Sequence, residues 1–143
     1  MIEVFYKISS VFTGFSLIEL QKTGVAREYL DALIRSTAEE NVRDLLDFYH
    51  QHENEEIAEH VFNHEMYGAM IRSLIQMWYL GSWYPLPKEW HKRYGGSEIS
   101  EYVVSASAYK TGLIWKTIGT HAPGTNPSGF GVWATEPKET ADD

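Results

Sequence analysis

The chain has 143 residues, which fits one domain able to bury roughly 68–70% of the surface its unfolded chain exposes. Hydrophobic residues make up 43% and aromatic residues 14%, with 5 Trp and 9 Tyr, which excludes the composition of a disordered chain and supplies aromatic surface for an interface as well as a core. A formal net charge of -8 disfavours a nucleic-acid backbone or an anionic membrane as partner, and a cysteine count of 0 excludes disulfides, Cys-ligated zinc, iron–sulfur clusters and covalently attached haem.

The N-terminal residues show no basic leader and no small-residue cleavage site, so no secretory signal is expected. No run of about 18 apolar residues occurs, so no direct membrane span is expected either. Over Ile2 to Phe12, Val4, Phe5, Ile8, Val11 and Phe12 recur at helical spacing and Gly14 offers a stop. Val25, Ala26, Tyr29, Leu30, Leu33 and Ile34 then share one helix face, while Arg27, Asp31 and Arg35 stand four apart on the other. Thr37 and Glu40 have capping-box spacing, and Val42, Leu45, Leu46 and Tyr49 give the stripe of the helix that the box would start. A further helix is predicted with Ile57, Ala58, Val61 and Phe62 inward. The acidic residues concentrated between Glu39 and Glu65 read as a solvated face.

From Met66 to Leu80 apolar residues cover nearly the whole circumference, the pattern of a buried helix, with Arg72 and Gln76 on its polar strip. Gly81 is placed to end it, and Ser82 to Pro87 excludes helix. Pro87 suits the first turn of a short helix to Tyr94, closed by Gly95 and Gly96. Residues 97–104 are open between strand and helix. Ser105 or Ser107 is the candidate cap of a helix to Ile118, in which Gly112 allows another backbone to come close. From Gly119 onward Gly and Pro recur too often for regular structure, yet Phe130, Val132 and Trp133 lie there. Such side chains must bury against the chain's own body or against another chain. The expected fold is therefore all-α: one domain over 1–143 of about five to seven helices, with 119–143 an extended Gly/Pro/aromatic tail.

Catalytic signatures are sparse. His60 and His64 stand one helical turn apart with Glu56 one turn before, a spacing that admits a metal-dependent or hydrolytic enzyme as the alternative function, but it lacks the metalloprotease pattern and a nameable third ligand, so no metal site is assigned. There is no nucleophile elbow and no phosphate-cradling glycine fingerprint after a strand. What stands out is aromatic: Trp78, Tyr79, Trp83, Tyr84, Tyr109, Trp115, Phe130 and Trp133 cluster around the two places where helices give way to Pro and Gly. A tight core around those ends and a large partner interface both account for them. For an interface, Trp78, Trp83, Tyr84, Trp115, Phe130 and Trp133 are the candidate anchors, and His121, at the junction of helix and tail, is a candidate to hydrogen-bond across it.

Three stretches also carry a family resemblance: Val11-Phe-Thr-Gly-Phe15, Ile71-Arg-Ser-Leu-Ile-Gln-Met-Trp-Tyr-Leu-Gly-Ser-Trp83, and Tyr109 through Pro137 with its Leu113-Ile-Trp115, Gly119-Thr-His121-Ala-Pro123-Gly124 and Gly129-Phe-Gly-Val-Trp133. In these the chain resembles the small subunit of membrane-associated FAD-dependent sugar and alcohol dehydrogenases, the sorbitol dehydrogenase small-subunit family. The resemblance implies a non-catalytic subunit without a cofactor of its own. Its partner would be a large FAD-binding dehydrogenase of the glucose-methanol-choline type that oxidises a sugar or polyol, with a multihaem cytochrome reached through it. The small subunit would stabilise that partner and help it mature. Small subunits of this family commonly carry a twin-arginine export signal, which is not visible here. The chain as written is thus expected in the cytoplasm, the alternative being the periplasm, reached by export with the catalytic subunit.

Overall fold

The computed structural model describes residues 1–53 and 56–124. They form α1 (Ile2–Thr13), α2 (Leu17–Thr23), α3 (Ala26–Thr37), α4 (Glu39–Gln51), α5 (Ile57–Phe62), α6 (Tyr67–Leu80), β1 (Ser82–Trp83), α7 (Lys88–Tyr94), β2 (Tyr102–Val103), α8 (Ala106–Thr111) and α9 (Leu113–Thr117). The all-α class is as expected, and α1 and α6 run as their periodicity indicates, but the described residues hold nine helices where five to seven are expected. The strands pair antiparallel, Ser82 opposite Val103 and Trp83 opposite Tyr102. A ribbon of two residues a side does not stand alone. Trp83, fully buried, holds it by donating its indole N–H to Ile99 O at 3.1 Å.

Capping explains where the helices begin. Ser16 and Glu19 form a reciprocal box, Glu19 N–H donating to Ser16 Oγ at 3.2 Å and Ser16 N–H to Glu19 Oε1 at 3.1 Å, which starts α2, a helix the apolar spacing does not announce. The bonds from the Ser16 backbone and side chain hold the Glu19 carboxyl below its ordinary range, helped by the charges of Lys116 and Lys22. The box expected from Thr37 and Glu40 does not form. Thr37 is buried in the last turn of α3 and donates its hydroxyl to Leu33 O at 2.7 Å, so Ala38, at φ 78, turns the chain into α4 without a side-chain cap. Asn41 secures that corner, its Nδ2 donating to Thr37 O at 2.8 Å and to Tyr94 O at 3.0 Å. Arg35, expected to pair with Asp31, instead donates to the Tyr102 hydroxyl, with its guanidinium 5.2 Å from the centre of that ring.

Burial converges on α6. Met70, Ile71, Leu74, Met77 and Trp78 lie inside together with Phe5 and Ile8 of α1, Tyr29, Leu30 and Leu33 of α3, and Val42, Leu45 and Leu46 of α4, forming one continuous apolar cluster. Each such side chain contributes about 1.5–3 kcal/mol on burial. Arg72 and Gln76 are exposed, as their strip predicts, and Arg72 lies 4.6 Å over the Phe62 ring. The helix expected from Ser105 or Ser107 to Ile118 is two: Ser105 caps α8 by accepting from Ala108 N–H, and the chain breaks at Gly112, whose φ of -53 and ψ of 131 are not helical.

Gly81 ends α6 as anticipated, at φ 69, and a Cβ there would lie 2.4 Å from Ala108 O. Gly14 ends α1 at φ 79 with nothing within 4 Å of that position. The two glycines separate backbone cost from crowding. Gly14→Ala is expected to lose about 1–2 kcal/mol in denaturant titration, the cost of the left-handed conformation alone, and Gly81→Ala to lose at least about 1 kcal/mol more, because α8 must also move.

Candidate interaction surface

Tyr79 gathers the C-terminal end of α6. Its hydroxyl donates to Thr13 O at 3.0 Å and its ring meets Phe15 edge-on at 6.0 Å, so the turn after α1 is fixed to α6. Its carbonyl oxygen would stand 2.8 Å from a Cβ at Gly112, a proximity that only glycine accommodates and that accounts for the break between α8 and α9. Trp115 folds back over this junction, donating its indole N–H to Tyr109 O at 2.9 Å and meeting the Tyr109 ring at 5.8 Å. The described parts of all three resemblance-bearing stretches therefore meet around one tyrosine.

Exposed apolar side chains occur on the elements that meet here and next to them. Val11 ends the outer face of α1, Leu17 and Ile18 open α2, Leu80 closes α6 and Ile118 follows α9; Ile18 is 66% and Ile118 60% exposed. Helix α2 touches α1 and α8, and the Lys116 charge in α9 reaches Glu19 in α2. The described chain ends at Gly124, after the buried Ala122.

The seven candidate interface residues divide three ways. Trp78 and Trp83, expected as partner anchors, are 1% and 0% exposed and belong to the core of this chain. Trp78 continues the buried stripe of Met70 and Leu74 at four-residue spacing, and Trp83 is enclosed by the ribbon. Tyr84, Trp115 and His121 are half-buried, and the Tyr84 carbonyl accepts from Ser73 Oγ at 3.1 Å. Phe130 and Trp133 lie outside the described residues. The apolar rim of Ile18 and Ile118 carries no motif; its only sign in the sequence is an apolar residue out of phase with the buried positions of a short helix.

Of Glu56, His60 and His64, the last has a structural use. His64 Nδ1 accepts from the backbone N–H of Met66 at 3.0 Å and of Tyr67 at 3.2 Å, and Gly68 N–H bonds to His64 O at 2.9 Å. The ring stacks on Tyr67 at 4.2 Å. His64 thus closes the turn leading into α6, its ring nitrogen accepting from the N-cap residue Met66 and the first helical residue Tyr67 much as a Ser or Asn side chain can. His52 Nδ1 bonds to Phe48 O at 2.8 Å and His91 Nδ1 to Gly95 O at 2.9 Å. Among the described residues no group of three or more His, Asp or Glu is placed to hold a metal ion, and no helix is long and apolar enough to cross a membrane.

His64→Ala is expected to destabilise the chain by about 0.5–2 kcal/mol in denaturant titration, and His64→Asn to restore most of it, since an Asn oxygen can accept the same two N–H groups. Comparison with protein-family models, with curated proteins and with solved structures gives no match to this chain.

Proposed function

We propose that this chain is the non-catalytic small subunit of a FAD-dependent dehydrogenase of the glucose-methanol-choline type acting on a sugar or polyol, and that it stabilises the large subunit by binding its folded form. The resemblance of the three stretches motivates the reading. The observation that carries it is their meeting around Tyr79, where its bond to Thr13 O at 3.0 Å and the close pass of Gly112 join segments whose neighbouring helices carry exposed Ile18 and end at exposed Ile118. Residues far apart in the chain that share a resemblance and one surface region are what a common binding face requires.

In this reading the chain supplies shape and apolar area, while FAD, the substrate pocket and electron transfer to a cytochrome lie in other chains. A subunit that binds the native flavoprotein and not its unfolded form shifts that partner's folding equilibrium by mass action. The rim of Val11, Leu17, Ile18 and Ile118 would form the contact core, with rigidity coming from the α6 junction beneath it.

Co-expression with the large subunit of a FAD-dependent dehydrogenase of this type tests the reading. Soluble, FAD-loaded large subunit is expected to fall on the order of tenfold or more when this chain is omitted, the change that about 1.4 kcal/mol of stabilisation produces. Equal yields would refute the proposal. Ile18→Asp is expected to leave the melting temperature of the isolated chain within about 2 °C, because the site is exposed, while releasing the large subunit in size-exclusion chromatography. Retention of the complex would remove α2 from the interface.

A further inference from the structure

Among the described residues five buried side-chain polar atoms have no hydrogen-bond partner; two, His91 Nε2 and Tyr94 OH, are on α7, and the other three are on helices that touch pairwise: Ser9 Oγ on α1, Tyr29 OH on α3 and Trp78 Nε1 on α6. These last three residues are 0%, 0% and 1% exposed. They also share a neighbourhood. The Tyr29 ring meets the Trp78 indole edge-on at 4.9 Å, and Phe5, one turn before Ser9 on the same face of α1, stacks on that indole at 6.5 Å. Burial raises the Tyr29 hydroxyl well above the ordinary tyrosine range, so it keeps its proton and can donate.

Leaving one buried polar group unpaired costs about 1–3 kcal/mol, and most such groups in native cores have partners. Three on mutually touching helices, one of them on a ring in direct contact with the Trp78 indole, call for a common one. The chemistry matches a single small amphiprotic molecule: Trp78 can only donate, whereas the Ser9 and Tyr29 hydroxyls can donate or accept. Water satisfies all three at once, and buried waters typically make about three bonds. We propose that α1, α3 and α6 enclose an internal water site in which one water accepts from Trp78 Nε1 and bonds to Ser9 Oγ and Tyr29 OH. The three helices are then joined by a polar bridge at the centre of an otherwise apolar core.

Two measurements on the full chain test it. In the unsubstituted protein the Trp78 indole proton is expected to show direct cross-relaxation with a long-lived water by NMR. Ser9→Ala and Tyr29→Phe are expected each to lower the melting temperature by about 2–5 °C, and the double variant to lower it by less than the sum, because the water is lost once. Isolated unpaired hydroxyls would behave oppositely: each replacement would raise the melting temperature and the effects would add, which overturns the proposal. Should either variant fail to fold, the indole proton decides alone, and absence of a long-lived water contact there rejects the site.

Discussion

Close backbone approach to α6 is the constraint on which the remaining structure depends. At its start a Cβ on Gly68 would lie 2.5 Å from Phe62 O, at its end a Cβ on Gly81 would lie 2.4 Å from Ala108 O, and a Cβ on Gly112 would lie 2.8 Å from Tyr79 O. The neighbouring chain is thus drawn against this helix at both ends, where no side chain could intervene. Between these points Met70, Leu74 and Trp78 face the interior and join α1, α3 and α4 into one core. Backbone contact sets the positions of α5, α8 and α9, and side-chain burial supplies the energy that holds them there.

Polar side chains serve the same geometry. His64 braces the turn leading into α6, Asn41 closes the corner between α3 and α4, and Ser36 exchanges two bonds with Ser97, its Oγ donating to Ser97 O at 3.0 Å while its own O accepts from Ser97 N–H at 2.8 Å. These bonds fix irregular segments to helices, so loops 95–101 and 63–66 take defined paths. A scaffold of this kind can present apolar side chains with little ordering cost on association, a property that the proposed subunit role would draw on.

The sequence made α6, its stop at Gly81, the Pro87 start of α7 and the stripes of α1, α3 and α4 legible, the helices α1, α3, α4 and α6 through their apolar period and the ends of α1, α6 and α7 through a Gly or Pro of definite backbone preference. Capping was legible only in part. Ser16 with Glu19 and Thr37 with Glu40 have the same spacing, yet only the first forms a box: Ser16 is exposed and its oxygen faces open backbone donors, whereas Thr37 is already inside a completed helix. Spacing alone does not carry burial. Gly112 was legible as a point of close approach, but the consequence, a broken helix, depends on Tyr79 arriving from about a quarter of the chain length away in sequence. The interface candidates fared unevenly for a related reason, since Trp78 and Trp83 look alike in core and interface, and only the packed structure separates the two.

The tryptophans give the high aromatic content a further explanation. Trp83 donates to Ile99 O at 3.1 Å, Trp90 to Met66 O at 2.9 Å and half-buried Trp115 to Tyr109 O at 2.9 Å, each tying an indole ring to the backbone of a connecting or terminal segment. One residue thereby supplies apolar area to the core and a directional bond to a loop. In a chain with 0 cysteines, such indole bonds hold irregular backbone at places where a crosslink is chemically excluded. Trp78 departs from this pattern, because it sits mid-core among helices whose own carbonyls are already bonded within the helix. Its N–H can be satisfied only by another side chain or by a molecule held between the helices, and the buried hydroxyls of Ser9 and Tyr29, on the two helices that pack beside it, are equally without a partner.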